Sequence, residues 1–303
     1  MDAFRWAISC RLVIASFLFA SGLCAQGTIA TVAGGSSSSV SGTSPIDWVG
    51  ATNIAFDASG NLYLGEQRRL WVRSATSGEF SLFAEASVAE PYGVPYFANL
   101  QFDRDGVLWY LDPVNRCVRR LVSGVSEPIV GYCSGKFISF PVLPSDYSLT
   151  PTGNLVLVDN EGRIYSFDVK ARAEKLIGGT GVAGPQPHDG DLATNVRLYG
   201  AGSVAADSDG NVYFAMGRIW RIDAGTGVLT TVLGECVTCS GVTVGPADQV
   251  GLTGPGGLRF GPDRRLYYVD RQYSDFRFRR LNLADMTVSA VIAQGASDGL
   301  YII

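Results

Sequence analysis

Residues 102–121 read FDRDGVLWYLDPVNRCVRRL. An acid leads into a Gly turn, then come the alternating run VLWYL, a second acidic turn and a run studded with arginine. Aligned on the turn glycine, the same grammar occurs in five copies. They are NIAFDASGNLYLGEQRRLWVR (53–73), NLQFDRDGVLWYLDPVNRCVRRL (99–121), DYSLTPTGNLVLVDNEGRIYSFD (146–168), SVAADSDGNVYFAMGRIWRID (203–223) and GLRFGPDRRLYYVDRQYSDFRFRRLN (257–282). The turn glycine falls at 60, 106, 153 and 210, with Arg264 at the equivalent place, so the spacings are 46, 47, 57 and 54 residues.

The D-x-x-G stretches suit tight hairpins, because Asp caps the turn and Gly accepts positive φ. The strand after each hairpin carries Arg, and a fourth strand follows in EFSLFA, EPIVGY, AEKLIGG, VLTTVLG and TVSAVIA. Four antiparallel strands cannot bury both their faces alone, and a strand-rich repeat of this length belongs to the β-propeller class. After residue 26 no run of ten or more residues shows a 3.6-residue apolar period free of Gly and Pro, so helix is nearly absent. The expectation is an all-β propeller of four-stranded antiparallel blades, five in number, with six as the alternative. TIATVA (28–33) resembles a fourth strand and is placed to pair with the last blade.

The stretches GNLYLGEQRRLWVR, YLDPVNRCVRRL, GVAGPQPHDGDLATNVRLYGAGSVAADSDGNVYFA and VGPADQVGLTGPGGLRF resemble NHL-repeat propellers, especially exported bacterial ones, over roughly residues 28–292. The resemblance implies a propeller fold. It leaves function open, since NHL-like propellers serve both as binding modules and as enzymes.

The N-terminus MDAFRWAISCRLVIASFLFASGLCAQ reads as an export signal. Arg5 and Arg11 precede an apolar core, Leu12–Leu23, and Ala25–Gln26 is the expected cleavage point. That core is too short to span ~30 Å of hydrocarbon, and no later stretch is long and apolar enough to do so. Residues 1–25 are thus read as a signal peptide and 26–303 as a single propeller domain, secreted or periplasmic, monomeric, with no membrane span after cleavage. The net charge of −4 becomes −5 without residues 1–25, and nothing in it suggests nucleic acid as a partner. An oxidising compartment would make disulfides of the four mature cysteines. The pairs expected are Cys117–Cys133 across a hairpin and Cys236–Cys239 within CVTC.

Little else reads as chemistry. His188 is the only histidine, so one chain cannot build a multi-His metal site, and its setting PQPHDGDLAT reads as an exposed loop. The acids of DRDG (Asp103, Asp105) and DSDG (Asp207, Asp209) lack the later ligands of a calcium loop and read as turn acids, as does Asp57. One constellation stands out. Four residues before each turn acid, at the start of the innermost strand, stand Asn53, Asn99, Asp146, Ser203 and Gly257. In a propeller these line the central channel, so Asn53, Asn99, Asp146 and Ser203 are the candidate ligand-binding residues.

The fifth copy also resembles the gluconolactonase-like propellers, which hold a divalent cation at the channel mouth with Glu, Asn and Asp oxygens. That resemblance implies Asn53, Asn99 and Asp146 as metal ligands and a cation such as calcium. The Glu-x-Pro stretch that supplies one ligand in that class has no match here. The leading expectation is therefore a binding module for a protein, glycan or small ligand, with no cofactor. Trp48, Tyr92, Tyr96 and Tyr273 are its contact candidates. The alternative is a cation-dependent lactonase-type hydrolase or lyase with its site at the channel mouth.

Overall fold

A computed structural model describes residues 51–66, 68–86, 93–234, 244–272 and 275–291. They form five antiparallel sheets, one per sequence copy, standing in a ring as the blades of a β-propeller. Blade 1 holds β1 (Ala51–Phe56), β2 (Leu62–Glu66), β3 (Arg69–Arg73) and β4 (Phe80–Glu85). Blade 2 holds β5 (Ala98–Phe102), β6 (Leu108–Asp112), β7 (Cys117–Val122), β8 (Val125–Cys133) and a short fifth strand, β9 (Lys136–Ile138). Blade 3 is β10 (Pro144–Leu149), β11 (Leu155–Asp159), β12 (Ile164–Asp168) and β13 (Ala173–Gly178). Blade 4 is β14 (Ser203–Ala206), β15 (Val212–Met216), β16 (Arg218–Ile222) and β17 (Leu229–Leu233). In blade 5 the strand β18 (Gly245–Pro246) flanks the outer edge of β19 (Pro255–Phe260), β20 (Leu266–Gln272), β21 (Asp275–Asn282) and β22 (Thr287–Ala290).

The second strand of each blade explains why a ring is the stable solution. Every residue of β11 is buried, and its alternate side chains enter different cores. Leu155 and Leu157 pack with Trp109 and Val118 of blade 2, while Val156 and Val158 pack with Val204 and Phe214 of blade 4. In β15, Val212 and Phe214 face blade 3, whereas Tyr213 and Ala215 join Leu258 and Tyr268 of blade 5. A further cluster joins Tyr63 and Leu70 to Leu100 and Tyr110 between blades 1 and 2. Period-2 side chains with both faces covered produce the short continuous apolar runs seen in the sequence.

The turn acids act as the sequence implies. Asp57 Oδ1 accepts from the N–H groups of Ser59 and Asn61 at 2.9 Å each. Asp103 Oδ1 accepts from Asp105 and Val107 at 3.0 and 2.8 Å, and Asp207 Oδ1 from Asp209 and Asn211 at 2.9 and 2.8 Å. The second carboxylate oxygen holds an aromatic of the returning strand: the Trp109 indole N–H donates to Asp103 at 2.8 Å and the Tyr213 hydroxyl to Asp207 at 3.2 Å. Gly60, Gly106, Gly153 and Gly210 have φ between 75° and 85°, and Arg264 is also left-handed at φ 59°. In the fifth copy Gly261 stands at the acid's position, and Asp263 accepts instead from the Arg265 N–H at 3.2 Å and the Tyr267 hydroxyl at 3.0 Å.

The disulfide Cys117–Cys133 is present, with the Cα atoms 5.3 Å apart. The hairpin turns at Ser123–Gly124, both left-handed (φ 51° and 79°). A bulge at Val118/Arg119 then sets Cys117 opposite Gly131, diagonal to Cys133. Cys236 and Cys239 lie outside the described residues, as do the expected signal segment, TIATVA, Trp48, Tyr92 and Tyr273.

The two inter-blade loops that resemble NHL connectors share a device. After β13, the Gly190 N–H donates to the Leu229 carbonyl and the Leu229 N–H to the Asp191 carbonyl, and Asp189 accepts from the Thr231 N–H and hydroxyl at 2.7 and 2.8 Å. A 3-10 turn at Ala193–Asn195 then drops Val196 and Leu198 into the core between blades 3 and 4. The second loop repeats this: β18 pairs with β22, a 3-10 turn follows at Ala247–Gln249, and Val250 enters the core between blades 4 and 5.

Candidate functional site

Four of the five innermost strands, β1, β5, β10 and β19, start irregularly, while β14 pairs in regular register. The ladder slips between Ala51 and Asn53, Ala98 and Gln101, Pro144 and Asp146, and Gly256 and Arg259. A bulge removes backbone groups from the ladder, and they need partners elsewhere. The ring residues supply partners across blades, to the bulged Asn99 and Leu258 and also to Val204 on the regular β14. Asn53 Oδ1 accepts from the Asn99 N–H at 2.7 Å, Asp146 Oδ2 from the Val204 N–H at 3.0 Å, and Ser203 Oγ from the Leu258 N–H at 2.9 Å.

Asn99 is the junction. It is left-handed at φ 48°, a conformation Asn tolerates better than most residues. Its Nδ2 donates to Asp146 Oδ1 and, at 3.0 Å, to the Tyr147 carbonyl. Its Oδ1 accepts from Gln101 Nε2 at 2.9 Å and from Arg259 Nη2. The Tyr147 hydroxyl donates to the Asn99 carbonyl at 2.9 Å.

Arg259 and Gln101 are the members the sequence reading missed. Arg259 Nη2 lies 3.7 Å from Asp146 Oδ1, and Nη1 donates to the carbonyls of Leu258 and Val204, the latter at 3.4 Å. One signal was present. At the third position of the aligned inner strands stand Ala55, Gln101, Ser148, Ala205 and Arg259, so only the fifth copy brings a charge, and it is the copy whose ring residue is Gly257.

The electrostatics follow from this packing. Asp146 is buried, and burial pushes its carboxyl above its ordinary range, opposed by Arg259 and by the Val204 and Tyr147 N–H groups. Burial likewise drives the Tyr147 hydroxyl well up, with Arg259 pulling the other way. Asn53, Asn99, Asp146 and Ser203 thus come together in one hydrogen-bonded chain across blades 1 to 5.

This donor set fits a guanidinium and not a divalent cation. Calcium takes six to eight oxygens with several carboxylates. Here Asp146 is the one carboxylate, Asn53 Oδ1 is committed to a backbone N–H, and Asn99 Oδ1 faces Arg259. Among the described residues no group of three or more His, Cys, Asp or Glu side chains could hold a metal. His188 lies far along the chain in its loop, with a side chain 78% exposed and 3.5 Å from Asp191. Tyr96 is 37% exposed. At the hairpin-turn end, a groove of about 560 Å³ runs between blades 3 and 4, lined by Thr150, Asn154, Lys175, Leu192, Asp209 and Thr226 among others.

Fold and cluster together define a five-bladed β-propeller with a polar axial centre. No family model matches the chain, and no curated protein matches it, so the NHL resemblance rests on the repeats themselves. Solved structures similar to it are β-propellers of low sequence identity. Virginiamycin B lyase from Staphylococcus aureus is 15% identical over 81% of this chain and 71% of that one, with a TM-score of 0.50. A gluconolactonase from Xanthomonas campestris is 11% identical over 81% and 78%, with a TM-score of 0.53. An auxiliary nutrient binding protein from Bacteroides ovatus is 16% identical over 82% and 58%, also at 0.53. At such identities the likeness concerns the fold.

Proposed function

We propose that the protein is an exported, NHL-like binding propeller that takes a small ligand at the channel mouth around Arg259, Asn99 and Asp146. The observation that carries this reading is the convergence there of side chains from separate blades on one guanidinium, whose own side chain is about one-third exposed (35%). A preformed, hydrogen-bonded polar cluster inside a rigid scaffold is the usual form of a small-ligand site. The exposed part of Arg259 and the Gln101 amide suit a ligand that presents oxygen acceptors, such as a carboxylate or a carbonyl. The name of the Bacteroides relative, a nutrient binding protein, agrees with such a role, and the disulfide agrees with a secreted or periplasmic site of action. We read the working form as a monomer.

A lactonase-type hydrolase or lyase at the same mouth is the second reading, supported by the names of two structural neighbours. One experiment separates them. Purified protein is screened by thermal shift against hydroxy acids, saccharides and lactones, and hits are titrated into wild type and Asp146→Asn. Saturable binding weakened at least tenfold by Asp146→Asn, with no product formed, supports the binding module. Turnover of a lactone would favour the enzyme. Hits indifferent to Asp146→Asn would remove the axial mouth from both.

A further inference from the structure

The axial oxygens of Asn99 and Asp146 already have a cation. Arg259 enters from the one blade that contributes no ring side chain, donates to Asn99 Oδ1, and stands 3.7 Å from Asp146 Oδ1. Its other terminal nitrogen is anchored on the carbonyls of Leu258 and Val204, on adjacent blades. A guanidinium and a divalent ion compete for the same thing, a cluster of oxygens carrying net negative charge. The guanidinium has no coordination shell to fill and is charged at every ordinary pH. Among the described residues Asp146 is the cluster's one carboxylate, and the single positive charge of the guanidinium balances it. A divalent ion beside it would leave an uncompensated buried excess, which is costly.

We propose that Arg259 is the resident cation of this propeller. The wild-type axis is neutralised by the chain itself and takes no divalent ion. This stands apart from whatever ligand the mouth binds, because it concerns only groups within the protein.

The test compares the melting temperatures of wild type, Arg259→Met and the double variant Arg259→Met/Asp146→Asn, in EDTA and in millimolar calcium chloride. Wild type should melt at the same temperature in both. Arg259→Met should melt at least about 3 °C below wild type in both media, because it leaves the buried Asp146 carboxylate without its cation. The double variant should recover part of that loss, because Asp146→Asn leaves no charge to balance, which separates charge balance from lost packing. The proposal falls if calcium raises the melting temperature of wild type and Asp146→Asn abolishes that rise. It also falls if folded Arg259→Met melts as wild type does, or if the double variant recovers nothing. Should Arg259→Met fail to fold, Arg259→Lys keeps the charge and decides the matter: calcium indifference supports the proposal, and calcium stabilisation overturns it.

Discussion

At the scale of single residues, much of the fold's chemistry was readable because it is local. A turn acid, its two N–H donors and the aromatic it anchors lie within six residues of one another, so the D-x-x-G pattern states the geometry almost in full. Asp103→Ala should cost about 1–3 kcal/mol, since it strips the partner from the indole N–H of Trp109, a buried side chain. Urea unfolding monitored by fluorescence would measure it. Arg264 makes the opposite case. It holds φ 59° where three of the other copies have Gly after an acid, and a left-handed L-residue costs about 1–2 kcal/mol. Arg264→Gly should therefore stabilise by up to about 1 kcal/mol once the entropy of the added glycine is deducted. The turn acids also set the acid limit. Burial would raise Asp57, but hydrogen bonds from Asn61, Ser59 and Tyr63 outweigh it and hold the carboxyl below its ordinary 3.8; Thr226 and Thr287 hold Asp223 and Asp285 low in the same way. A lowered folded value means stability that is fully present above pH 3.8 and lost as pH falls through the folded values. Melting temperature should drop on that limb, and Asp57→Asn should make the drop shallower.

At the scale of elements, the periods and the Cys117–Cys133 pairing were legible, while pairings made by backbone alone were not. Nothing in KFI (136–138) or GP (245–246) announces a strand; β9 and β18 exist because an outer edge offers free N–H and C=O groups. Gly162 is similarly silent in sequence, yet a side chain there would collide with the Leu198 carbonyl, and its φ is 75°. Gly162→Ala should destabilise by about 2 kcal/mol or more, adding backbone strain to a steric clash. Joint replacement of Cys117 and Cys133 by Ser should cost about 3 kcal/mol, the loop-closure value for a bridge of this span. Calorimetry of each variant would check both.

At the scale of the whole molecule, the axial cluster shows what a repeat alignment can and cannot deliver. The copies place Asn53, Asn99, Asp146 and Ser203 at one register, and the ring brings them together. Arg259 left only one trace, its charge at the third inner-strand position, because its side-chain partners lie 160 and 113 residues away in sequence and are reached only across the closed ring. The groove between blades 3 and 4 is the rival location to the axial cluster for a ligand. The most direct test of the account is a crystal structure of the protein with the tightest ligand from the screen. The account predicts the ligand at the channel mouth, within hydrogen-bond distance of the Arg259 guanidinium and the Gln101 or Asn99 amide. A ligand seated instead between Asp209 and Lys175 in the inter-blade groove, with the axial cluster untouched, would contradict it.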